Sequence, residues 1–122
     1  MSEEELKRRI KQFALRVIKL VSSLPKTEAA KVIGNQLLRA GTSVGANYRA
    51  ACFARSQADF ISKLGIVLEE CDESLYWMEL LVESEIVKEE RMKSIMKEAT
   101  ELTKIFIASL KTSKRNNVKS KI

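Results

Sequence analysis

Apolar residues recur along this chain at steps of three and four. From Leu6 they run through Ile10, Phe13, Val17, Leu20 or Val21, and Leu24. That spacing predicts one apolar face on an α-helix. Ser2 precedes it with Glu5 three residues on, a capping-box pattern, and Pro25 ends it. A second helix can begin at Thr27, an acceptable N-cap, with Glu28 in the first turn where negative charge suits the helix dipole. Its stripe is Ile33, Leu37, Ala40, Val44 and Ala51, with Asn47 at the remaining step. A third helix is predicted from a cap at Ser56 to about Glu83, with the stripe Phe60, Leu64, Val67, Cys71, Leu75, Met78 and Val82. Residues 84–87 read as a turn. The fourth stripe is Met92, Ile95, Ala99, Leu102, Phe106 and Leu110, with Ile105 and Ile107 beside it. No segment alternates with the period of a strand. Four amphipathic helices with short connections predict an all-α fold, an antiparallel up-down-up-down four-helix bundle over residues 1–112. The segment 113–122, SKRNNVKSKI, is basic and nearly without apolar residues, which predicts a mobile tail.

One stretch tests this reading. Residues 40–51, AGTSVGANYRAA, carry two glycines, as a phosphate-cradling loop would. No glycine precedes a Lys-Ser or Lys-Thr pair, and no strand leads into the segment, so the P-loop pattern is absent. The apolar stripe also keeps its helical phase across Gly41 and Gly45, which a loop would not do. A glycine inside a helix costs about 1 kcal/mol relative to alanine. At about 100° per residue, Gly34, Gly41, Gly45 and Cys52 fall on one line beside the apolar stripe. Such a line admits the close approach of another helix; a local kink is the compatible alternative.

Composition narrows the picture further. At 122 residues the chain is expected to be one domain with its own core. No apolar run reaches the roughly 20 residues that cross a bilayer, and the N-terminus lacks the apolar core of a signal sequence, so a cytoplasmic protein without a membrane partner is expected. Cys52 and Cys71 form no CxxC pair and read as buried free thiols. The net charge of +6 is uneven: residues 57–87 carry eight acidic side chains against one basic, while every other segment is net positive. The acidic segment can pair with basic ones within the fold or between subunits, and the remainder can meet an anionic partner. The chain has no histidine, which removes the usual catalytic base and the Glu-x-x-His ligands of a di-metal bundle. No catalytic, metal or cofactor site is expected, and the chain reads as a non-enzyme.

At this point LLRAGTSVGANYRAA, followed by ARSQADFISKLGIVLEECDESLYWMELL, resembles the 23S rRNA intervening-sequence proteins, a family of four-helix bundles. The likeness is strongest over residues 39–49 and 59–81 and covers all but the tail. It implies a non-enzymatic bacterial protein and a ring-like homo-oligomer, a homopentamer. Some related bundles are accessory proteins that bind nucleic acid and a reverse transcriptase, so RNA or a nucleic-acid-processing protein is the implied partner. The family name records where its first genes were found and does not establish ribosome binding. Cys52 and Phe53 depart from the resemblance, standing where a more polar pair is expected.

Three sets of candidate positions follow. Arg39, Ser43 and Asn47 of the second helix, with Asp59, Glu69, Glu70 and Glu73 of the third, look typical of the family. They read as ion pairs and hydrogen bonds locking the two helices, within or between subunits, or else as a binding site. Lys31 and Arg49 share a face opposite the second helix's core, a solvated face or an anion-binding strip. Arg8 and Lys11, with the other basic residues of the first helix, and Lys114 and Arg115 of the tail could add phosphate contacts. Ile66, Trp77 and Leu81 lie off the main stripe of the third helix. They suggest an oligomer contact, with a broad core face as the alternative.

Overall fold

The computed structural model of the chain describes residues 1–121. Four helices follow one another, α1 (Glu3–Ser22), α2 (Glu28–Cys52), α3 (Gln57–Glu83) and α4 (Glu89–Lys121), with no strand among the described residues. α1 packs on α2, α2 on α3 and α3 on α4, and α4 returns to touch α1 more lightly. This is the antiparallel up-down-up-down bundle that the pattern predicts. No helix of the described residues is long and apolar enough to cross a membrane.

Local chemistry sets where the helices begin. The hydroxyls of Ser2, Thr27 and Ser56 accept hydrogen bonds from the backbone N–H groups of Glu5, Ala30 and Asp59, at 3.1, 3.2 and 3.0 Å. Each satisfies a donor that the first turn leaves without a partner. α3 ends in a Schellman closure. The Ile86 N–H donates to the Leu81 carbonyl and the Glu85 N–H to that of Val82. Glu85 takes the left-handed conformation this requires, with φ 62°, where a residue with a Cβ pays about 1 kcal/mol.

The core follows the predicted stripes closely in α1 and α4. Leu6, Ile10, Phe13, Val17 and Leu20 are buried, as are Met92, Ile95, Ala99, Leu102, Phe106 and Leu110. α3 differs. Its buried positions are Leu64, Val67, Cys71, Ser74, Met78 and Leu81, a strict alternation of three and four, while Phe60, Leu75 and Val82 are only half-buried. The expectation that Leu81 marks an oligomer contact is therefore corrected: it is fully buried in the bundle core. α3 is clasped by α2 on one side and α4 on the other, so its buried face lies between the two. Ser74 is tolerated there because its hydroxyl donates to the Glu70 carbonyl at 2.8 Å. In α2, Tyr48 joins the core, its ring 6.2 Å from that of Phe106, although the predicted stripe omits it.

α4 also departs from expectation. It continues through Lys121, so the described part of 113–122 is helix rather than the irregular tail its polarity predicts. Nothing in the segment breaks a helix, and cations near a helix C-terminus interact favourably with its dipole. Gln57 Nε2 donates to the Ser113 carbonyl at 3.2 Å, which aligns Ser113 with the start of α3. The last eight residues then reach past that level by about 12 Å. Ile122 lies outside the described residues.

Three glycines of α2 take side chains of α1 against them. A Cβ on Gly41 would stand 2.9 Å from both methyl carbons of Val17 and 3.2 Å from its Cβ. A Cβ on Gly34 would lie 2.9 Å from Leu24 Cδ1, and one on Gly45 would lie 3.3 Å from Ile10 Cγ2. Gly41 is the tightest of these. Val17 is branched at Cβ and stiff in a helix, so it cannot swing clear, whereas the end of the Leu24 side chain can. Gly65 on α3 has nothing within 4 Å of an added Cβ.

Cys71 is fully buried between α3 and α4, with its Sγ 3.5 Å from the Ala99 carbonyl oxygen and 3.4 Å from Thr103 Oγ1. Cys52 is half-buried. Burial pushes the Cys71 thiol up to about 11, and burial, then Glu3, raises that of Cys52.

Gly41→Ala is expected to lower stability by about 1–2 kcal/mol, overpacking outweighing the gain in helix propensity. Gly65→Ala is expected to raise it by up to about 1 kcal/mol, because no neighbour is displaced. Urea denaturation with unchanged m-values checks the pair. In a Cys52→Ser variant at pH 8, Ellman's reagent is expected to leave native Cys71 unmodified and to titrate it fully in denaturant. A thiol held well above the working pH offers almost no thiolate. Rapid native labelling would contradict the packing around Cys71.

Candidate nucleic-acid interface

The side-by-side packing of α1 and α2 brings basic residues from both helices to one groove. Its volume is about 670 Å³, and Glu4, Lys7, Arg8 and Lys11 of α1 and Thr42 and Arg49 of α2 lie along it. Ile10, Gly45 and Tyr48 also line it. Three of the predicted nucleic-acid positions, Arg8, Lys11 and Arg49, therefore meet at one place. None of the three pairs with an acid within the described residues. Lys31 does not join them. It lies on a separate depression between the α1–α2 turn and the start of α2, beside Lys26. Lys114 and Arg115 are exposed on the part of α4 that overreaches the bundle.

Lys7 and Thr42 are groove residues beyond the predicted set. Lys7 Nζ lies 3.4 Å from Glu3 and 3.4 Å from Glu4, which steer its stem, and it sits 6.0 Å from the centroid of the Phe53 ring. The signal for the groove was present in the turn positions of Lys7, Arg8 and Lys11. Choosing them from the six cations of α1 requires knowing that α2, rather than α4, lies on that side.

Arg9 and Arg16 of α1 are committed to the fold, whereas Lys19 is exposed and makes no ion pair among the described residues. Arg9 Nε and Nη2 donate to the two carboxylate oxygens of Glu98 at 2.8 and 2.7 Å, and Nη2 also reaches Glu101 at 2.7 Å. The Glu98 hydrogen bond holds the Arg9 guanidinium above its ordinary range. Arg16 donates to Ser94 Oγ at 2.8 Å, and Arg91 of α4 donates to Ser23. These long polar side chains close the α1–α4 seam, the lightest of the four seams between neighbouring helices. A bidentate pair such as Arg9–Glu98, half-exposed, is worth about 1 kcal/mol.

The predicted polar lock between α2 and α3 is realised in part. Arg39 bridges Glu70 at 3.3 Å and also Glu73, and Glu73 accepts from Trp77 Nε1 at 3.3 Å. The remaining positions differ from expectation. Ser43 donates to the Arg39 carbonyl at 2.7 Å and Asn47 to the Ser43 carbonyl at 2.9 Å, both within α2. Asp59 pairs with Lys63 four residues on at 2.6 Å, and that hydrogen bond holds its carboxyl below the ordinary range. Glu69 is exposed and crosses to no other helix among the described residues. Polar groups on a helix flank find the nearest backbone carbonyl or i+4 partner before they reach a neighbouring helix.

Of the predicted contact strip on α3, Ile66 is exposed and Trp77 half-buried against the core. Tyr76, exposed, meets the Trp77 ring edge-on at 5.1 Å. No three His, Cys, Asp or Glu side chains of the described residues are grouped as metal ligands.

No curated protein matches the chain. Among solved structures it is similar to a protein of unknown function from the S23 ribosomal protein family of Bacteroides thetaiotaomicron. The two are 40% identical, with 91% of this chain and 99% of that chain covered and a TM-score of 0.84. The sequence pattern of the 23S rRNA-intervening sequence proteins matches residues 3–108, nearly the whole bundle. On that match, and on the shared four-helix fold, the chain belongs to the 23S rRNA-intervening sequence protein family.

Proposed function

We propose that this chain is a non-enzymatic accessory protein that assembles with copies of itself and associates with nucleic acid, RNA before DNA. The observation that carries the reading is the α1–α2 groove, where Arg8, Lys11 and Arg49 converge without acid partners of their own. A chain that spends Arg9 and Arg39 on internal ion pairs leaves these three facing water. Uncompensated cations from two helices at one place suit phosphates, each neutralised phosphate releasing counterions. Lys114 and Arg115 on the overreaching end of α4 extend the cationic surface. Repetition in a ring, with five subunits as the family likeness implies, would turn several weak contacts into measurable affinity.

A second reading is a protein-interaction scaffold that binds no nucleic acid, a nucleic-acid-processing protein being one such partner. The exposed Tyr76 edge-on to half-buried Trp77, with exposed Ile66 about three turns earlier on the same acid-rich helix, favours it. An apolar patch rimmed by charge is the usual form of a protein contact.

Fluorescence anisotropy of full-length protein with a labelled RNA hairpin carrying a single-stranded flank tests the first reading. Between about 50 and about 200 mM salt the affinity is expected to fall by about 100-fold, as a handful of neutralised phosphates requires. Reversing Arg8, Lys11 and Arg49 to glutamate should abolish most of the binding at the lower salt, and removal of residues 113–122 should weaken it. Absence of binding at both salts rejects the nucleic-acid reading and leaves the scaffold. Native mass measured in parallel is expected to be that of a pentamer; a monomer would reject self-assembly.

A further inference from the structure

Phe53 plays no part in the core or in the function proposed above, yet it stands beside the groove. It is the C-cap residue of α2 and, at 79% exposure, the most exposed of the large apolar side chains. Burying a phenylalanine is worth about 1.5–3 kcal/mol, and here the fold forgoes nearly all of it. The ring also has a cation beside it. Lys7, a groove residue, holds its ammonium 6.0 Å from the ring centroid, within cation–π range. Arg49, one turn earlier on α2, lines the groove, and Arg55 is exposed two residues later.

We propose that Phe53 is a stacking platform for an unpaired base, and that the groove with its aromatic end therefore takes single-stranded nucleic acid. The inference rests on the nucleic-acid reading and narrows it to one class of ligand. A cationic groove that follows the phosphates, with an aromatic face for the bases, is the usual combination in single-strand recognition, and it tolerates any base because every base has a π-face. Arg8, Lys11 and Arg49, which have no acid partners, supply the phosphate contacts, while Lys7 is already paired with Glu3 and Glu4. Phe53 supplies the surface for a base. A duplex keeps its base faces stacked inside, so it can use the cations but not the ring. The ring needs no rearrangement to be reached, since it already faces water.

The test compares the wild-type protein with Phe53→Ala and Phe53→Trp. Three probes are used: a single-stranded RNA carrying 2-aminopurine, a duplex of the same length, and inorganic polyphosphate, a polyanion without bases. Phe53→Ala is expected to lose about tenfold in affinity for the single strand, with duplex and polyphosphate binding unchanged. Phe53→Trp is expected to retain it. Quenching of 2-aminopurine should accompany binding to the wild-type and Trp proteins and be lost with Ala. Unchanged single-strand affinity in Phe53→Ala overturns the inference, as does an equal loss for all three probes. A change in native mass in Phe53→Ala also overturns it, by assigning the ring to a contact between copies. If the wild-type protein binds none of the probes, the nucleic-acid reading itself falls; if it binds them and the ring makes no difference, only this inference does.

Discussion

The closeness of α1 to α2 is the constraint on which most of this bundle depends. It is set at Gly41, where the missing Cβ leaves room for the two methyl groups of Val17, and it is continued at Gly34 and Gly45. Each glycine gives up about 1 kcal/mol of helix propensity, and the helices gain an approach that alanine would block. Two consequences follow. The cations of α1 and α2 stand on adjoining walls of one groove. α1 is also drawn to the α2 side of the bundle, and it meets α4 mainly through the long side chains of Arg9, Arg16 and Arg91.

Charge in this chain divides into what the fold uses and what it leaves over. Arg9 is bound by Glu98 and Glu101, Arg39 by Glu70 and Glu73, and Lys63 by Asp59. The Arg9 and Arg39 pairs fix how neighbouring helices sit against each other, the Lys63–Asp59 pair lies within α3, and their exposure limits what each adds to stability. Arg8, Lys11 and Arg49 remain on one side, and Lys114 and Arg115 on the extended end of α4. The acids Glu69, Asp72 and Glu79 remain exposed on α3.

Family membership places the chain among four-helix bundles, and the similar solved protein has itself no known function. The physical reading therefore rests on this chain's own residues. Cys52 and Phe53 adjoin in sequence but differ in surroundings. Cys52 is half-buried against Glu3 and Tyr48 at the end of the α1–α2 seam, so it is accounted for by packing. Phe53 is not; its ring lies exposed beside Lys7.

Much of the architecture could be read from the amino acids alone. The stripes of α1 and α4 are the buried residues, and the caps at Ser2, Thr27 and Ser56 are formed as expected, because periodicity and capping are properties of a few residues along one helix. The helical phase through Gly41 and Gly45 likewise showed that the segment is not a loop. Other features needed the assembled bundle. Leu81 lies off the main stripe expected for α3, but α3 is covered from two sides and buries it. Tyr48 lies off the expected stripe, yet it reaches Phe106. Arg9 and Arg8 are adjacent in sequence; one closes the α1–α4 seam and the other faces the groove. Ser43, Asn47 and Asp59 found partners on their own helices, while Arg39 crossed to α3. Sequence determines which way a side chain points from its own helix. Which residue it meets depends on the height, rotation and spacing of the next helix, and those are set only when the whole core packs.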